Sequence, residues 1–184
     1  MTLPGFGPSP DAVFDPGDDI SARAMRIAGW QTQQINLVES LIVNTSEEQD
    51  LYSYNVVGGT LGTKAVIMVI MDHFFLNNSG STFTLTFRVR FGSEVAASVA
   101  DSITSNAAWR WARAVLLLKA NGLTNSQLVR FGNSAETTDT VVATFGRDST
   151  VDQLLRITAQ WSAAHANAQF MTTMRRSYLM RTVP

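Results

Sequence analysis

The sequence contains no cysteine, and proline is almost absent beyond the N-terminus, since only Pro184 follows Pro16. Disulfide bonds and metal sites built on thiolates are therefore excluded, although the absence of cysteine does not identify the redox compartment. The 184 residues are enough for one ordinary domain with a sizeable core.

Charge is also scarce. Charged residues make up 16% of the chain, against a usual share of about 25%. Fourteen basic and fifteen acidic residues leave a net charge of −1, which argues against a nucleic-acid-binding protein led by phosphate contacts. Much of the surface must therefore be uncharged, or be buried against a partner.

Long apolar runs are missing as well. No stretch approaches the roughly 18 apolar residues that a membrane-spanning helix requires. Residues 1–19 have neither a basic segment nor an apolar one of the kind found in secretory signals. We therefore expect no membrane association and no secretory signal.

The first nineteen residues differ from the rest in composition. They hold four of the five prolines and three glycines, which disfavour regular secondary structure. One interpretation is a disordered tail. The other is an extended arm docked on a neighbouring subunit, favoured by Phe6, Val13 and Phe14, because a purely solvated tail rarely carries such side chains. We assign residues 1–30 to this N-terminal arm and its lead-in, and residues 31–184 to the main domain.

Residues 81–91 show the clearest local pattern. Apolar residues at Phe83, Leu85, Phe87, Val89 and Phe91 alternate with threonine and arginine. Side chains of a strand point alternately to opposite faces, so this stretch has one apolar and one polar face. The pattern predicts a strand with one side in a core and the other in water.

Other short apolar segments recur every ten to fifteen residues, separated by turn signals. Strand candidates lie at residues 34–43, 51–57, 65–76, 94–102, 127–131, 141–145, 154–161 and 170–183. The 65–76 segment is apolar throughout, which suits a strand buried on both faces or a buried helix, and its valine and isoleucine content favours the strand. The turn at residues 77–80 predicts a hairpin joining this segment to residues 81–91. The spacing indicates an all-β sandwich or barrel.

Residues 105–122 permit two interpretations. Ser105 as N-cap, Lys119 in the last turn and Gly122 after it would suit a helix, which composition slightly favours. As a strand, the segment would place Trp109 and Trp111 on one face with further apolar and basic residues. Local pattern alone does not decide between them.

Two longer stretches carry a resemblance to a known family. They are VESLIVNTSEEQDLYSYNVVGGTLGTKAVIMVIMDHFFLNNSGSTFTLTFRVRFG at residues 38–92 and DQLLRITAQWSAAHANAQFMTTMRRSYL at residues 152–179. Together they resemble the jelly-roll β-sandwich domains of structural proteins in tailed-bacteriophage virions, over about residues 36–182. The resemblance implies a jelly roll of eight to nine antiparallel strands preceded by the extended arm, with residues 105–122 as a strand.

The resemblance is imperfect after Trp161. The family commonly has small residues with Asn and Thr before its last strand, whereas this chain has HANAQFMTTM. Met171 and Met174 make the segment unusually apolar, which suggests an interface. Trp109 and Trp111, which flank Arg110, suggest an aromatic and basic surface that could also belong to an interface or a sugar-binding platform.

Residues able to carry chemistry are few and scattered. His73 follows Asp72 inside an apolar run, but no second metal ligand lies at helix or strand spacing, and His165 is remote. The glycine-rich stretch 58–64 lacks the spacing of a phosphate-binding loop. Three aspartates at positions 15, 18 and 19 do not have the spacing of a known calcium loop. We predict no catalytic residue, no metal site and no cofactor.

These observations lead to a functional hypothesis. We expect a non-enzymatic virion structural protein, a capsid decoration (cement) protein that forms a homotrimer and binds the major capsid protein or neighbouring virion proteins. The N-terminal arm would clamp it to the head shell. The alternative is a tail-fibre, head-fibre or baseplate adhesin that binds a host surface glycan. Neither hypothesis involves nucleic acid or membrane.

Overall fold

The computed structural model describes residues 30–36, 40–133 and 140–180, which form eleven β-strands and no helix. The strands are β1 (Trp30–Asn36), β2 (Ser40–Val43), β3 (Gln49–Val56), β4 (Val66–Asn77), β5 (Phe83–Phe91), β6 (Glu94–Ile103), β7 (Asn106–Leu123), β8 (Ser126–Asn133), β9 (Thr140–Phe145), β10 (Gln153–Trp161) and β11 (Ala168–Met180). The described part of the chain contains no helix able to span a membrane. The arm residues Phe6, Val13 and Phe14 lie outside it.

The strands form two antiparallel sheets. The larger has seven strands in the order β1-β11-β4-β7-β8-β9, with β2 also paired to β11, and the smaller has the order β3-β10-β5-β6. The chain crosses repeatedly from one sheet to the other, from β2 to β3, β3 to β4, β4 to β5, β6 to β7, β9 to β10 and β10 to β11. This is the double Greek-key path of a jelly roll. The predicted jelly-roll sandwich is confirmed.

The strand count exceeds the eight to nine that the resemblance implies. The strand candidates at residues 127–131 and 141–145 are β8 and β9, a hairpin that widens the larger sheet beyond β7. β1 and β2 lie end to end along the same edge of β11, where a single strand was expected. Both features enlarge the same sheet, so its outward surface is broader than that of the smaller sheet.

The predicted hairpin between residues 65–76 and 81–91 is wrong. β4 pairs with β11 and β7, whereas β5 pairs with β10 and β6, so the two strands belong to different sheets. The turn instead carries the chain across the sandwich. The side-chain nitrogen Nδ2 of Asn77 donates hydrogen bonds to the carbonyl oxygens of Ser81, at 2.8 Å, and Ile103, at 2.7 Å. These bonds hold the crossing in place.

The segment at residues 105–122 is strand β7, not a helix. Its neighbours β4 and β8 pair along both edges. Its inward side chains alternate with outward ones and are small or aliphatic, namely Ala112, Ala114, Leu116, Leu118 and Ala120. Two paired edges outweigh the mild helix propensity of alanine and leucine, because propensity differences are only a few tenths of a kcal/mol per residue.

The core lies between the sheets and is rich in aromatic rings. Phe87 of the smaller sheet contacts His73 and Phe170 of the larger one, with ring centroids 5.4 and 5.6 Å apart. The predicted inner face of residues 81–91 is confirmed, since Leu85, Phe87, Val89 and Phe91 are fully buried there. Trp161 is also buried, as its position in β10 predicts.

Candidate functional site

The candidate site is the outer face of the seven-stranded sheet, the side directed away from the smaller sheet. His73 of β4 contacts Phe87 across the core and therefore points inward. The even-numbered residues of β4, from Val66 to Leu76, must then point outward. Strand register extends this assignment to the neighbouring strands. The apolar members of the outer face are Leu41, Val43, Val66, Met68, Ile70, Phe74, Leu76, Trp109, Trp111, Val115, Leu117, Leu128, Val142, Met171, Met174, Tyr178 and Met180.

One row of the outer face is apolar across four adjacent strands. Leu41 pairs with Met171, Met171 with Phe74, and Phe74 with Trp111. Neighbouring strands lie about 4.8 Å apart, so the row spans roughly 14 Å. Leu41 is 55% exposed and Trp111 52% exposed, so both ends of the row are open to solvent. Trp109 extends the exposed surface at 43%.

A β-bulge places both predicted interface methionines on this face. Residues three apart in a regular strand point to opposite sides, so Met171 and Met174 should be separated. The register of β11 shifts between Thr172 and Met174, and this shift lets both side chains point outward. The structure therefore brings Met171, Met174, Trp109 and Trp111 together on one surface.

An ion pair lies within this apolar surface. Arg113 Nε donates a hydrogen bond to Asp72 Oδ1 at 2.6 Å, and Arg113 Nη2 donates one to Oδ2 at 2.9 Å. The Asp72 side chain is only 10% exposed, so the bidentate geometry satisfies a nearly buried carboxylate. The Arg113 guanidinium also lies 5.5 Å from the centre of the Trp111 ring. The exposed indole is thus held by a cation that is itself fixed.

The charge of the outer face is unbalanced. Among its described side chains, Arg113, Lys119, Arg130 and Arg176 are basic, whereas Asp72 is the single acidic one. The surface therefore combines apolar area with a surplus of positive charge. Any surface that covers it would be complementary if it were apolar and acidic.

One end of the outer face is covered within the single chain. Tyr178 is fully buried and Met68 nearly so, although both point away from the core and neither belongs to the contiguous core cluster. Both lie near the start of β1, where Trp30 pairs with Met180. The exposed row at Leu41 and Trp111 lies towards the other end of the sheet.

The smaller sheet presents a contrasting polar face. Its centre is the Glu48 carboxylate, which accepts hydrogen bonds from Arg90 Nε and Nη2, both at 2.7 Å, and from Thr158 Oγ1 at 2.5 Å. Arg88 adds a contact at 3.5 Å. The hydrogen bonds from Arg90 lower the pKa of Glu48 to about 2. This network fastens the connection between β2 and β3 onto the smaller sheet.

The residues considered for chemistry do not converge. His73 is fully buried beside Phe87 and Phe170, and burial lowers its pKa to about 4. His165 lies against Phe83, with ring centroids 6.0 Å apart. No group of three His, Asp or Glu side chains within the described ranges could hold a metal ion. The aspartates at positions 15, 18 and 19 lie outside those ranges.

The glycine-rich stretch 58–64 forms a turn with a structural role. The Gly58 amide donates to Asp152 Oδ1 at 2.8 Å, and the Gly59 amide donates to the Ser149 carbonyl oxygen at 2.8 Å. These bonds join the turn to the connection between β9 and β10. The amides of Gly58, Gly59, Thr60 and Gly62 are thereby used within the chain.

The four residues predicted for an interface lie on the outer face, but sequence reasoning missed the centre of that face. Phe74, Ile70 and Met68 were assigned to a strand buried on both sides. A two-layer sandwich has only one interior, so a strand apolar on both faces must present one of them outward. The apolar residues on both faces of the 66–76 segment could therefore have predicted an apolar outer face. The partnership of Asp72 with Arg113 depends on strand register and could not be found from local pattern.

Comparisons with known proteins give no family. No family model and no curated protein matches the chain. Among solved structures, the CBM2 module of the evolved Dit protein of Lactobacillus casei BL23 phage J-1 is similar, with 12% identity, a TM-score of 0.37 and coverage of 72% of this chain and 69% of that one.

Plant lectins are similar to the same degree. The seed lectin of Lotus tetragonolobus shows 6% identity and a TM-score of 0.42, with coverage of 84% of this chain and 94% of that one. Lectin I of Ulex europaeus shows 9% identity and a TM-score of 0.38, with coverage of 83% and 92%. Similarities of this strength carry no argument about function, and the assignment of a jelly-roll sandwich rests on the strand topology.

Proposed function

We propose that this chain is a non-enzymatic structural protein of a phage virion, a capsid decoration protein that self-associates as a homotrimer and stabilises the head shell. The observation that supports the proposal most is the outer face, with its exposed apolar row from Leu41 to Trp111. Contiguous apolar surface of this kind marks interaction sites in soluble proteins.

The energetics favour assembly through this face. Fully burying a large apolar side chain stabilises an association by about 1.5–3 kcal/mol. Trp109 and Trp111 are of the residue type most often dominant at interfaces, and the fixed Arg113 reduces the entropy that Trp111 would lose on binding. The low charge of the whole chain fits the same role, as does the resemblance to virion structural domains.

The major capsid protein or a neighbouring virion protein is the second partner of the proposal. The protein would lie on the capsid surface and require neither nucleic acid nor membrane. The absence of enzymatic activity is part of the same proposal, and it is supported by the burial of His73 among aromatic rings and by the structural use of the glycine-rich turn.

The test compares oligomeric mass and particle binding in matched variants. Light scattering of the parent at micromolar concentration should give the mass of a trimer. Leu41→Ser with Trp111→Ser should shift the protein towards monomer and lower its occupancy on particles lacking it. The control is Leu154→Ser, which removes an exposed apolar side chain from the polar face. A parent that is monomeric and absent from the capsid surface in electron micrographs would refute the proposal.

A second candidate is an adhesin that binds a host glycan. It is favoured by one observation, the exposed Trp111 ring held beside Arg113 and Asp72. An aromatic ring can stack on the apolar face of a pyranose. An adjacent carboxylate can accept hydrogen bonds from the sugar hydroxyls, and an adjacent guanidinium can donate hydrogen bonds to them. A glycan array with the parent and with Trp111→Ala would separate the two candidates, because an assembly surface would show no saccharide binding that depends on Trp111.

A further inference from the structure

The N-terminal nineteen residues have a charge opposite to that of the outer face. They contain four of the fifteen acidic residues, at positions 11, 15, 18 and 19, and none of the fourteen basic ones. The remaining chain consequently holds fourteen basic residues against eleven acidic. The same segment carries the apolar side chains Phe6, Val13 and Phe14 among its prolines, glycines and aspartates.

The outer face has the matching properties. It is apolar across the row from Leu41 to Trp111, and its described side chains include four basic ones against one acidic. Lys119 and Arg130 are exposed at its β7 and β8 strands. Two surfaces that are each apolar and of opposite charge attract at long range and bury apolar area on contact. Two copies of the outer face would instead bring like charges together.

Chain geometry permits the contact. The described chain begins at Trp30, which pairs with Met180 at the edge of this sheet. Nineteen extended residues reach up to about 60 Å, several times the length of the apolar row. The burial of Tyr178 and Met68 also shows that part of the outer face is covered within one chain.

We propose that residues 1–19 bind the outer face of the seven-stranded sheet, with Phe6, Val13 and Phe14 on the exposed apolar row and the aspartates near Lys119 and Arg130. The inference rests on the proposed function only in taking the outer face as a binding surface. It names the occupant of that surface as a segment of this chain, from the same copy or from a neighbouring one in the assembly.

The absence of cysteine makes disulfide cross-linking of the full-length chain a clean test. Val13→Cys with Leu41→Cys joins the segment to the outer face if they are in contact. The control pair is Val13→Cys with Ser98→Cys, which directs the same segment to an exposed position on the polar face. We expect about tenfold more cross-linked product from the first pair, because docking raises the effective concentration of the two thiols.

Gel mobility then identifies which copy supplies the segment. A faster-migrating monomer indicates the same chain, and a disulfide-linked dimer indicates a neighbouring one. Either product supports the inference when Phe6→Ser with Phe14→Ser, or about 0.5 M salt, reduces it. Equal cross-linking by the test and control pairs overturns it. Dimers formed by Leu41→Cys alone also overturn it, since a second outer face would then be the occupant.

The two proposals can fail separately. Oligomers that persist in light scattering without cross-linking of residues 1–19 would leave the proposed function standing and remove this inference. Cross-linking of residues 1–19 within a monomer that never binds the capsid would support this inference and refute the proposed function.

Discussion

Arg113 and Asp72 face each other across β7 and β4 and share two hydrogen bonds at 2.6 and 2.9 Å. Arg113→Met would leave the nearly buried Asp72 carboxylate without this partner, which should reduce the free energy of unfolding by about 1–3 kcal/mol. Urea unfolding measures the change. The matched control is Arg156→Met, because the ion pair of Arg156 with Asp50 is more exposed and should contribute at most about 1 kcal/mol.

Replacing both members of the Arg113–Asp72 pair should restore stability. Asp72→Leu with Arg113→Leu extends the apolar surface and leaves no unpaired charge, so its unfolding should approach that of the parent. A double-mutant cycle isolates the coupling energy. If the double variant is as unstable as Arg113→Met alone, the pair has a role beyond neutralising Asp72.

Phe87 at the centre of the core is the second target. Its ring contacts His73, Phe131 and Phe170 of the larger sheet, and it is fully buried. Phe87→Ala should cost about 3–5 kcal/mol of unfolding free energy through lost burial and the cavity left behind. The control is Thr86→Ala on the polar face of the same strand. Similar melting temperatures for the two variants would contradict the assignment of the inner face.

Alanine substitutions at Gly58 and Gly80 test two different reasons for a glycine, namely lack of space for a Cβ atom and strain of the backbone. A Cβ on Gly58 would lie 2.9 Å from both the carbonyl carbon of Thr150 and the Cα of Val151, and closer still to the Thr150 carbonyl oxygen. Gly80 has a φ of +84°, and the space that a Cβ would occupy there is open out to 4 Å. Gly80→Ala should therefore cost about 1–2 kcal/mol of strain. Gly58→Ala should cost more, because main-chain atoms must move apart. Thermal unfolding of both variants tests the order.

The pH dependence of stability should have two steps. Burial lowers the pKa of His73 to about 4 in the folded protein, whereas the unfolded value is 6.5. Between these values the unfolded state binds the proton and the folded state does not, so stability falls as the pH decreases from about 6.5 to about 4. The Glu48 pKa is lowered from 4.5 to about 2, so its contribution is present above pH 4.5 and is lost as the pH falls towards 2.

Two variants assign these steps. His73→Phe should abolish the loss of stability between about pH 6.5 and 4 while leaving the lower step, because the apolar ring cannot bind a proton. Glu48→Gln should reduce the lower step alone, and the remainder reflects Asp148 and Asp152, whose pKa values are also lowered by hydrogen bonds from Thr150 and Gly58. Melting temperatures measured from about pH 7 to pH 2.5 provide the test. A His73→Phe variant with the pH profile of the parent would show that other groups cause the upper step.

Local alternation in the sequence predicted individual strands well where one face is buried. Residues 81–91 and 154–161 became β5 and β10, with Phe87 and Trp161 in the core. A period of two depends only on which side of a strand meets water, so it is visible without knowledge of the partners. Residues 105–122 required the resemblance, because a strand paired on both edges can contain alanine and leucine.

Strand pairing and the composition of the outer face were harder to predict from the sequence. The turn at residues 77–80 is local, and nothing in it states whether the next strand continues the same sheet or enters the opposite one. The grouping of Trp111 with Met171 depends on β4 lying between β7 and β11, which brings together residues 60 positions apart in the chain. The bulge that places Met174 beside Met171 likewise has no sequence signal.

Deleting residues 1–19 should leave the sandwich folded, because every described strand begins at or after Trp30. The melting temperature should therefore change little. If the segment binds the outer face, its removal should uncover apolar area there and increase the fluorescence of a hydrophobic dye. Leu41→Ser with Trp111→Ser in the deleted chain should reverse that increase, whereas Leu154→Ser should not.

Mixed with particles lacking the protein, the chain without residues 1–19 should also reach lower occupancy than the full chain. Equal occupancy and unchanged dye binding would show that the sandwich alone makes the attachment and that the segment covers nothing.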